Sequence, residues 1–257
     1  MAFLSIQNLS HSYFTKETIT NALEGVSLTV EEGEFISFLG PSGCGKTTLL
    51  SITAGLLSPA EGTVLIRGEP IEQMRKKIGY MLQQDYLFPW KTIKDNVLIG
   101  LKTLNKLTPD SEKKTMHLLE EMGLKGVEEK YPRQLSGGMR QRAALVRTLS
   151  ADPELLLLDE PFSALDYQTK LRLEDLVHQT LHDFGKTALL VTHDIGEAIA
   201  MSDRVFLFSA GPGKIAKLFP IPREIRELSP FDARQHPLFN ELFQTIWKEL
   251  DQLEQEK

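Results

Sequence analysis

Residues 35–47 read FISFLGPSGCGKT. Five strand-prone residues run straight into a stretch that places glycine at 40, 43 and 45 and ends on Lys46-Thr47. Glycine loses more conformational entropy on folding than any other residue, so such a cluster marks backbone that must wrap something a Cβ atom would obstruct. The stretch fits G-x-x-x-x-G-K-S/T, with the strand before it and the helix after it that its mechanism demands. Backbone N–H groups of such a loop curl around the β- and γ-phosphates of a nucleotide. Lys46 neutralises their charge, the Thr47 hydroxyl reaches Mg²⁺, and the helix N-terminus faces the anion. Gly40, Pro41, Ser42, Gly43, Cys44, Gly45, Lys46, Thr47 and Thr48 are therefore the expected phosphate-binding residues. Cys44 has two readings, a thiol activated by the helix N-terminus or a small residue that simply fits the loop.

The rest of the composition sets bounds on this reading. With 257 residues, 41% of them hydrophobic, the chain can bury one large core or a core with a substantial insertion. The longest apolar runs, such as Leu155–Leu158, fall far short of the roughly 20 residues that span a bilayer. Met1–Thr15 lacks a basic region followed by an apolar one, so no export signal is expected. Cys44 is the sole cysteine, which excludes an intrachain disulfide and agrees with a reducing compartment. A formal charge of −6 disfavours nucleic acid as a partner.

Short strand-prone runs at 35–39, 63–67, 78–82, 155–159, 188–192 and 204–208 alternate with helical ones, beginning with 46–54. This order predicts an α/β core around a largely parallel sheet. From Pro89 to Ser150 strand signals stop and helical periodicity takes over at 93–104, 111–122 and 137–149, the pattern of an all-helical insertion. The tail from His236 carries Leu238, Leu242, Ile246, Leu250 and Leu253 near one helical face, with Phe239, Phe243 and Trp247 alongside. Such a stripe is expected to pack on its own domain.

A second acidic site follows Leu155–Leu158, which suits a strand buried on both faces. Asp159 stands at its carboxyl end, where open α/β sheets bind ligands, and is placed to reach Mg²⁺ through water. Glu160, the next residue, points elsewhere and is the candidate general base for an attacking water. Ser136-Gly137-Gly138 opens a helical stretch, and its hydroxyl, bare amides and helix dipole form a second anion cradle.

LSGGMRQR at 135–142, shortly before LLLLDEP at 155–161, resembles the signature motif of ATP-binding cassette (ABC) proteins. The resemblance covers nearly the whole chain in the right order. It implies a P-loop core of mixed, largely parallel sheet with an antiparallel β part, all within a single nucleotide-binding domain over 1–257. Residues 1–88 and 151–235 would form the core, 89–150 the helical subdomain and 236–257 a C-terminal amphipathic helix. Gln83, within YMLQQD at 80–85, matches the Q-loop, a ligand of Mg²⁺ and water, and its spacing to LFPW at 87–90 favours it over Gln84. Asp166, in SALD at 163–166, matches the D-loop that meets a partner's phosphate loop, although an aspartate there also suits a helix cap. His193 in VTHD at 191–194 matches the switch histidine, and Tyr13, beside Phe14, the aromatic that stacks on adenine.

Two such cassettes are implied to pack head to tail, each ATP held by Lys46 of one and Ser136 of the other. They would sit on the cytoplasmic face of the membrane, bound to permease subunits that insert near Gln83–Trp90 and fed indirectly by an extracytoplasmic substrate-binding protein. Tyr86, Phe88 and Trp90 would line that groove or be buried locally. The stretches YLFPWK at 86–91 and YPRQLS at 131–136 and the short tail resemble the nitrate, sulfonate and taurine importer branch. Residues 212–257 are too few for the regulatory domain of maltose-type cassettes. The alternative, an ABC ATPase of DNA repair or translation, needs a long coiled-coil insertion or tandem cassettes. A small-molecule kinase would leave LSGGM, Gln83 and His193 unexplained.

Overall fold

The computed structural model describes residues 2–15 and 18–255. In chain order the elements begin with β1 (Leu4–Phe14), β2 (Ile19–Val30), β3 (Phe35–Leu39), α1 (Lys46–Thr53), β4 (Glu61–Ile66), β5 (Glu69–Pro70), α2 (Ile71–Met74) and β6 (Ile78–Met81). A helical run follows: α3 (Ile93–Val97), α4 (Ile99–Thr103), α5 (Pro109–Glu121) and α6 (Gly137–Ser150). The alternation then resumes with β7 (Leu155–Asp159), α7 (Tyr167–Asp183), β8 (Thr187–Val191), α8 (Ile195–Met201), β9 (Arg204–Phe208) and β10 (Ile215–Pro220). Three helices close the chain, α9 (Arg223–Arg226), α10 (Pro230–Ala233) and α11 (Pro237–Gln255). Two compact units result, Met1–Arg75 with Glu174–Lys257, and Lys76–Leu173.

In the first unit β3 lies between β8 and β9, parallel to both, and β10 runs antiparallel to β9. Every residue of β3 and β8 is buried, as expected of parallel strands covered on both faces. A separate antiparallel sheet has the order β2-β1-β4-β5. Helix α11 lays Phe239 and Ile246 into a core with Ile195, Ile199 and Ile225, while Leu238, Leu242, Phe243, Leu250 and Leu253 pack at its edge. Trp247 stays 54% exposed, its ring stacked on Phe243.

In the second unit β6 and β7 pair in parallel, Ile78 opposite Leu155 and Met81 opposite Leu158. The elements between them are helical. The helical run expected over 93–104 is interrupted at Leu98 (φ −87°, ψ −6°), yet the Leu98 N–H still reaches the Lys94 carbonyl at 3.1 Å and the Leu98 carbonyl accepts the Lys102 N–H at 3.0 Å, so the hydrogen bonding continues through the break. Helix α5 starts two residues earlier than its periodicity indicates. Thr108 Oγ1 accepts from the Ser111 N–H (3.1 Å), Ser111 Oγ accepts from the Thr108 N–H (2.8 Å), and Pro109 occupies the first helical position, whose N–H needs no partner. Among the described residues no helix is long and apolar enough to cross a membrane.

Candidate functional site

The expected site residues divide between the two units. In the first, β3 delivers the chain at Leu39 and α1 takes it away at Lys46, so residues 40–45 form the connecting loop. Gly45 has φ 87°, and a Cβ on it would come within 2.5 Å of the Ala22 carbonyl oxygen. Glycine is therefore required there twice over, by conformation and by space. Lys46, 9% exposed, folds back over the loop, and its ammonium donates to the carbonyls of Gly40 (2.7 Å) and Pro41 (3.0 Å) and to Cys44 Sγ (3.3 Å). Those acceptors hold the ammonium against its own loop. Cys44 is fully buried, which is how a small residue filling the loop behaves and not an accessible thiol.

The Tyr13 hydroxyl shares a hydrogen bond with Thr48 Oγ1 on α1 at 3.1 Å, and His11 meets the Tyr13 ring edge to face at 4.9 Å. Tyr13 is thus anchored to the helix that follows the loop, with 42% of its surface open. Thr47 sits in the first turn of α1. His193 lies exposed in the turn between β8 and α8. That turn is fixed on its far side: the Asp194 N–H donates to Thr192 Oγ1 (3.0 Å) and the Glu197 N–H to Asp194 Oδ1 (3.1 Å).

The second unit gathers the acidic and signature residues. Asp159 ends β7 and is 1% exposed. Glu160 follows with φ 49°, a left-handed conformation that costs a non-glycine residue about 1–3 kcal/mol. Gln83, just beyond β6, donates from Nε2 to Glu160 Oε2 at 3.0 Å. Gln83 and the candidate base are thus in direct contact, and the parallel pairing of β6 with β7 brings their strand ends side by side. Ser136 caps α6, its Oγ accepting the Met139 N–H at 3.3 Å, and Gly137 and Gly138 form the first turn. Asp166 accepts from the Thr169 N–H at 3.0 Å and caps α7; the hydrogen bonds at Thr169 hold its carboxyl below the usual range.

Beyond Gln83 the chain is held by groups that motif reading does not single out. Arg140 Nε donates to Asp85 Oδ2 (2.9 Å), and Arg147, two turns further along α6, donates to the Tyr86 carbonyl (2.7 Å) and the Asp85 carbonyl (2.8 Å). Asn96, fully buried on α3, accepts the Phe88 N–H (2.7 Å) and donates to the carbonyls of Phe88, Lys91 and Thr92. So fixed, the segment leaves Tyr86 59% and Trp90 70% exposed, with Phe88 half-buried against Trp90. A cleft of about 390 Å³ opens among Gln83–Tyr86, Gly137, Arg140, Gln141 and Ala164.

The ABC transporter family profile matches residues 23–163, from before the phosphate loop through the acidic strand end. The chain belongs to the ABC transporter ATP-binding family. Bacillus subtilis YtlC, an uncharacterized ABC transporter ATP-binding protein, is 61% identical over all of this chain and 99% of its own length. The aliphatic sulfonates import ATP-binding protein SsuB of Bacillus licheniformis is 42% identical over 91% of this chain and 89% of its own. Among solved structures, the ATP-binding cassette MJ0796, dimeric in a post-hydrolysis state with ADP and Pi, superposes with a TM-score of 0.77 at 32% identity. It covers 85% of this chain and 99% of that one. The expected α/β class of P-loop ABC cassettes is therefore the observed one, and the chain is an ABC ATPase that binds ATP. Its likeness to the sulfonate import protein agrees with the branch indicated by the sequence.

Proposed function

We propose that this ABC ATPase energises the import of a small organic sulfonate or a similar anion, as one of two identical subunits bound to a membrane permease at its cytoplasmic face. The observation that carries the cargo class is the 42% identity to SsuB across almost the full length of both chains. The dimeric state of MJ0796 supports the pairing. Residues 1–257 act as one nucleotide-binding domain, with 89–150 as its helical subdomain and 236–257, of which 256–257 lie outside the described residues, as its C-terminal segment.

Each ATP lies between the phosphate loop of one subunit, Gly40–Thr48, and the Ser136-Gly137-Gly138 helix start of the other. Two anion cradles on one chain make ATP the adhesive of the pair. Tyr13 stacks on the adenine, and Lys46, turned from the loop carbonyls, neutralises phosphate charge. Thr47, Gln83 and Asp159 offer hydroxyl, amide and carboxylate oxygens, the hard donors that suit Mg²⁺. When bound, Mg²⁺ would offset negative charge on the phosphates. Glu160 accepts a proton from the attacking water, and His193 orients toward the γ-phosphate. Gln83, hydrogen-bonded to Glu160 at 3.0 Å, reports the state of the site to the segment carrying Tyr86 and Trp90, which receives the permease. Asp166 meets the partner's phosphate loop. A substrate-binding protein outside the membrane delivers the cargo.

The test is Glu160→Gln in the full chain, followed by turnover, ATP affinity and size in saturating nucleotide with Mg²⁺. Turnover should fall at least a hundredfold while ATP binding persists and a dimer accumulates. A variant that turns over normally removes the base assignment, and one that stays monomeric with and without its permease removes the transporter reading. Uptake of a labelled alkanesulfonate by cells carrying the chain, lost on its deletion, tests the cargo class.

A further inference from the structure

The carbonyl of Glu160 is a point of convergence. It accepts from the Ser163 N–H (3.3 Å), from Ser163 Oγ (3.0 Å) and from Gln141 Nε2 (3.1 Å). The other end of the Gln141 amide, Oε1, accepts the Ala164 N–H at 3.0 Å. One side chain thus bridges both ends of the turn 160–164 and uses donor and acceptor alike. Gln141 is 4% exposed, so these bonds form away from water, where each is worth more and its loss leaves a buried group unmet. The turn it spans contains the left-handed Glu160, a conformation that persists only when its surroundings over-determine it.

Gln141 also has a second address. It stands five residues after Ser136 on α6, about 7.5 Å along the axis, and belongs to the same rigid rod. A single amide thus joins the helix that begins at Ser136 to the Glu160 carbonyl.

We propose that Gln141 is a positioning residue that sets the backbone of Glu160, and so ties the acid serving one nucleotide to the helix that grips the other. It acts through the Glu160 backbone, fixing where the Glu160 carboxylate points. The inference rests on the reading of Glu160 as the base and of Ser136 as the contact to the partner's ATP.

Gln141→Met keeps the length and the burial but removes both amide functions. In the full chain, kcat should fall about tenfold or more, while KM and the equilibrium affinity for ATP stay within about twofold. In a Glu160→Gln background, where turnover is expected to be strongly reduced, Gln141→Met should still form the ATP-dependent dimer. A merely structural residue would lower ATP affinity and dimer yield along with kcat. A second variant, Gln141→Asn, retains the amide chemistry on a side chain one methylene too short to bridge the turn. It should also lose kcat at unchanged KM, and it carries the test if the methionine variant does not fold. A kcat within about twofold of the parent in either folded variant overturns the proposal, as does a loss of kcat matched by an equal loss of ATP affinity. Parent-like Gln141→Met beside an inactive Glu160→Gln sinks this inference alone. An active Glu160→Gln sinks the base assignment and this inference with it.

Discussion

Asn96 is the side chain on which the Gln83–Trp90 segment depends most, and its removal has a calculable cost. Its Oδ1 accepts the Phe88 N–H at 2.7 Å, and its Nδ2 is shared among the carbonyls of Thr92 (2.9 Å), Phe88 (3.2 Å) and Lys91 (3.2 Å). Two amide hydrogens serve three acceptors, so the group amounts to roughly three hydrogen bonds, each worth about 1 kcal/mol net. Asn96→Ala also strands the Phe88 N–H in a place the asparagine keeps fully buried. The expected loss is about 3 kcal/mol, or about 6–12 °C in Tm for a chain of this size. A urea titration followed by tryptophan fluorescence reads it, because Trp90 lies in the affected segment and Trp247 in the other unit gives an independent signal.

Asn96→Asp sharpens the test. The carboxylate still accepts from Phe88, but it turns a second oxygen toward three carbonyls and is buried as a charge. At pH 7 it should be worse than alanine. Burial and facing carbonyls raise a carboxyl above its ordinary value of about 3.9. The penalty is therefore present above the folded-state value and relieved as pH falls toward 3.9, by about 1.4 kcal/mol per pH unit. The aspartate variant should accordingly gain on the alanine variant between pH 7 and pH 5. A loss below about 1 kcal/mol in Asn96→Ala, or an aspartate variant indifferent to pH, would refute the hydrogen-bond account.

Two further outcomes follow from the first unit. Gly45→Ala forces a Cβ to within 2.5 Å of the Ala22 carbonyl at φ 87°, so ATP affinity should fall at least about tenfold even where the chain folds; an unchanged affinity in a binding titration contradicts the loop geometry. His178 on α7 is held below the ordinary histidine value, first by burial and then by the neighbouring His182, with Asp203 and Asp175 pulling the other way. Its unfolded form takes up protons first, so the stability it contributes is whole above about pH 6.5 and lost as pH falls below that value. His178→Gln should flatten the fall in Tm between pH 7 and pH 5.5, and an unaltered slope would count against the shift.

The phosphate loop, the strand that feeds it and the acidic strand end were legible because their rules are local. A glycine pattern, a lysine and a threonine have meaning within eight residues, and a four-leucine run before an acid suits a buried strand. Gln141, Arg140 and Arg147 were not, because their partners lie 19 to 62 residues away and no spacing encodes them; Asn96 was not because its partners, though within eight residues, are backbone groups of an irregular stretch that no motif describes. A glutamine in a helix ordinarily reads as a solvent-facing residue. A signal did exist. Helix α6 buries Gln141, Ala144, Leu145 and Thr148, at i, i+3, i+4 and i+7, and α3 and α4 bury Ile93, Asn96, Val97 and Leu101. A neutral amide standing inside an apolar stripe must satisfy donor and acceptor without water, and backbone that is not in regular structure is what offers both. By that reasoning the two buried amides mark the two segments that need a template: Asn96 for the stretch after Gln83, and Gln141 for the turn after Glu160. Both segments flank groups assigned to chemistry, so the residues that sequence motifs pass over are the ones that hold the motif residues in place.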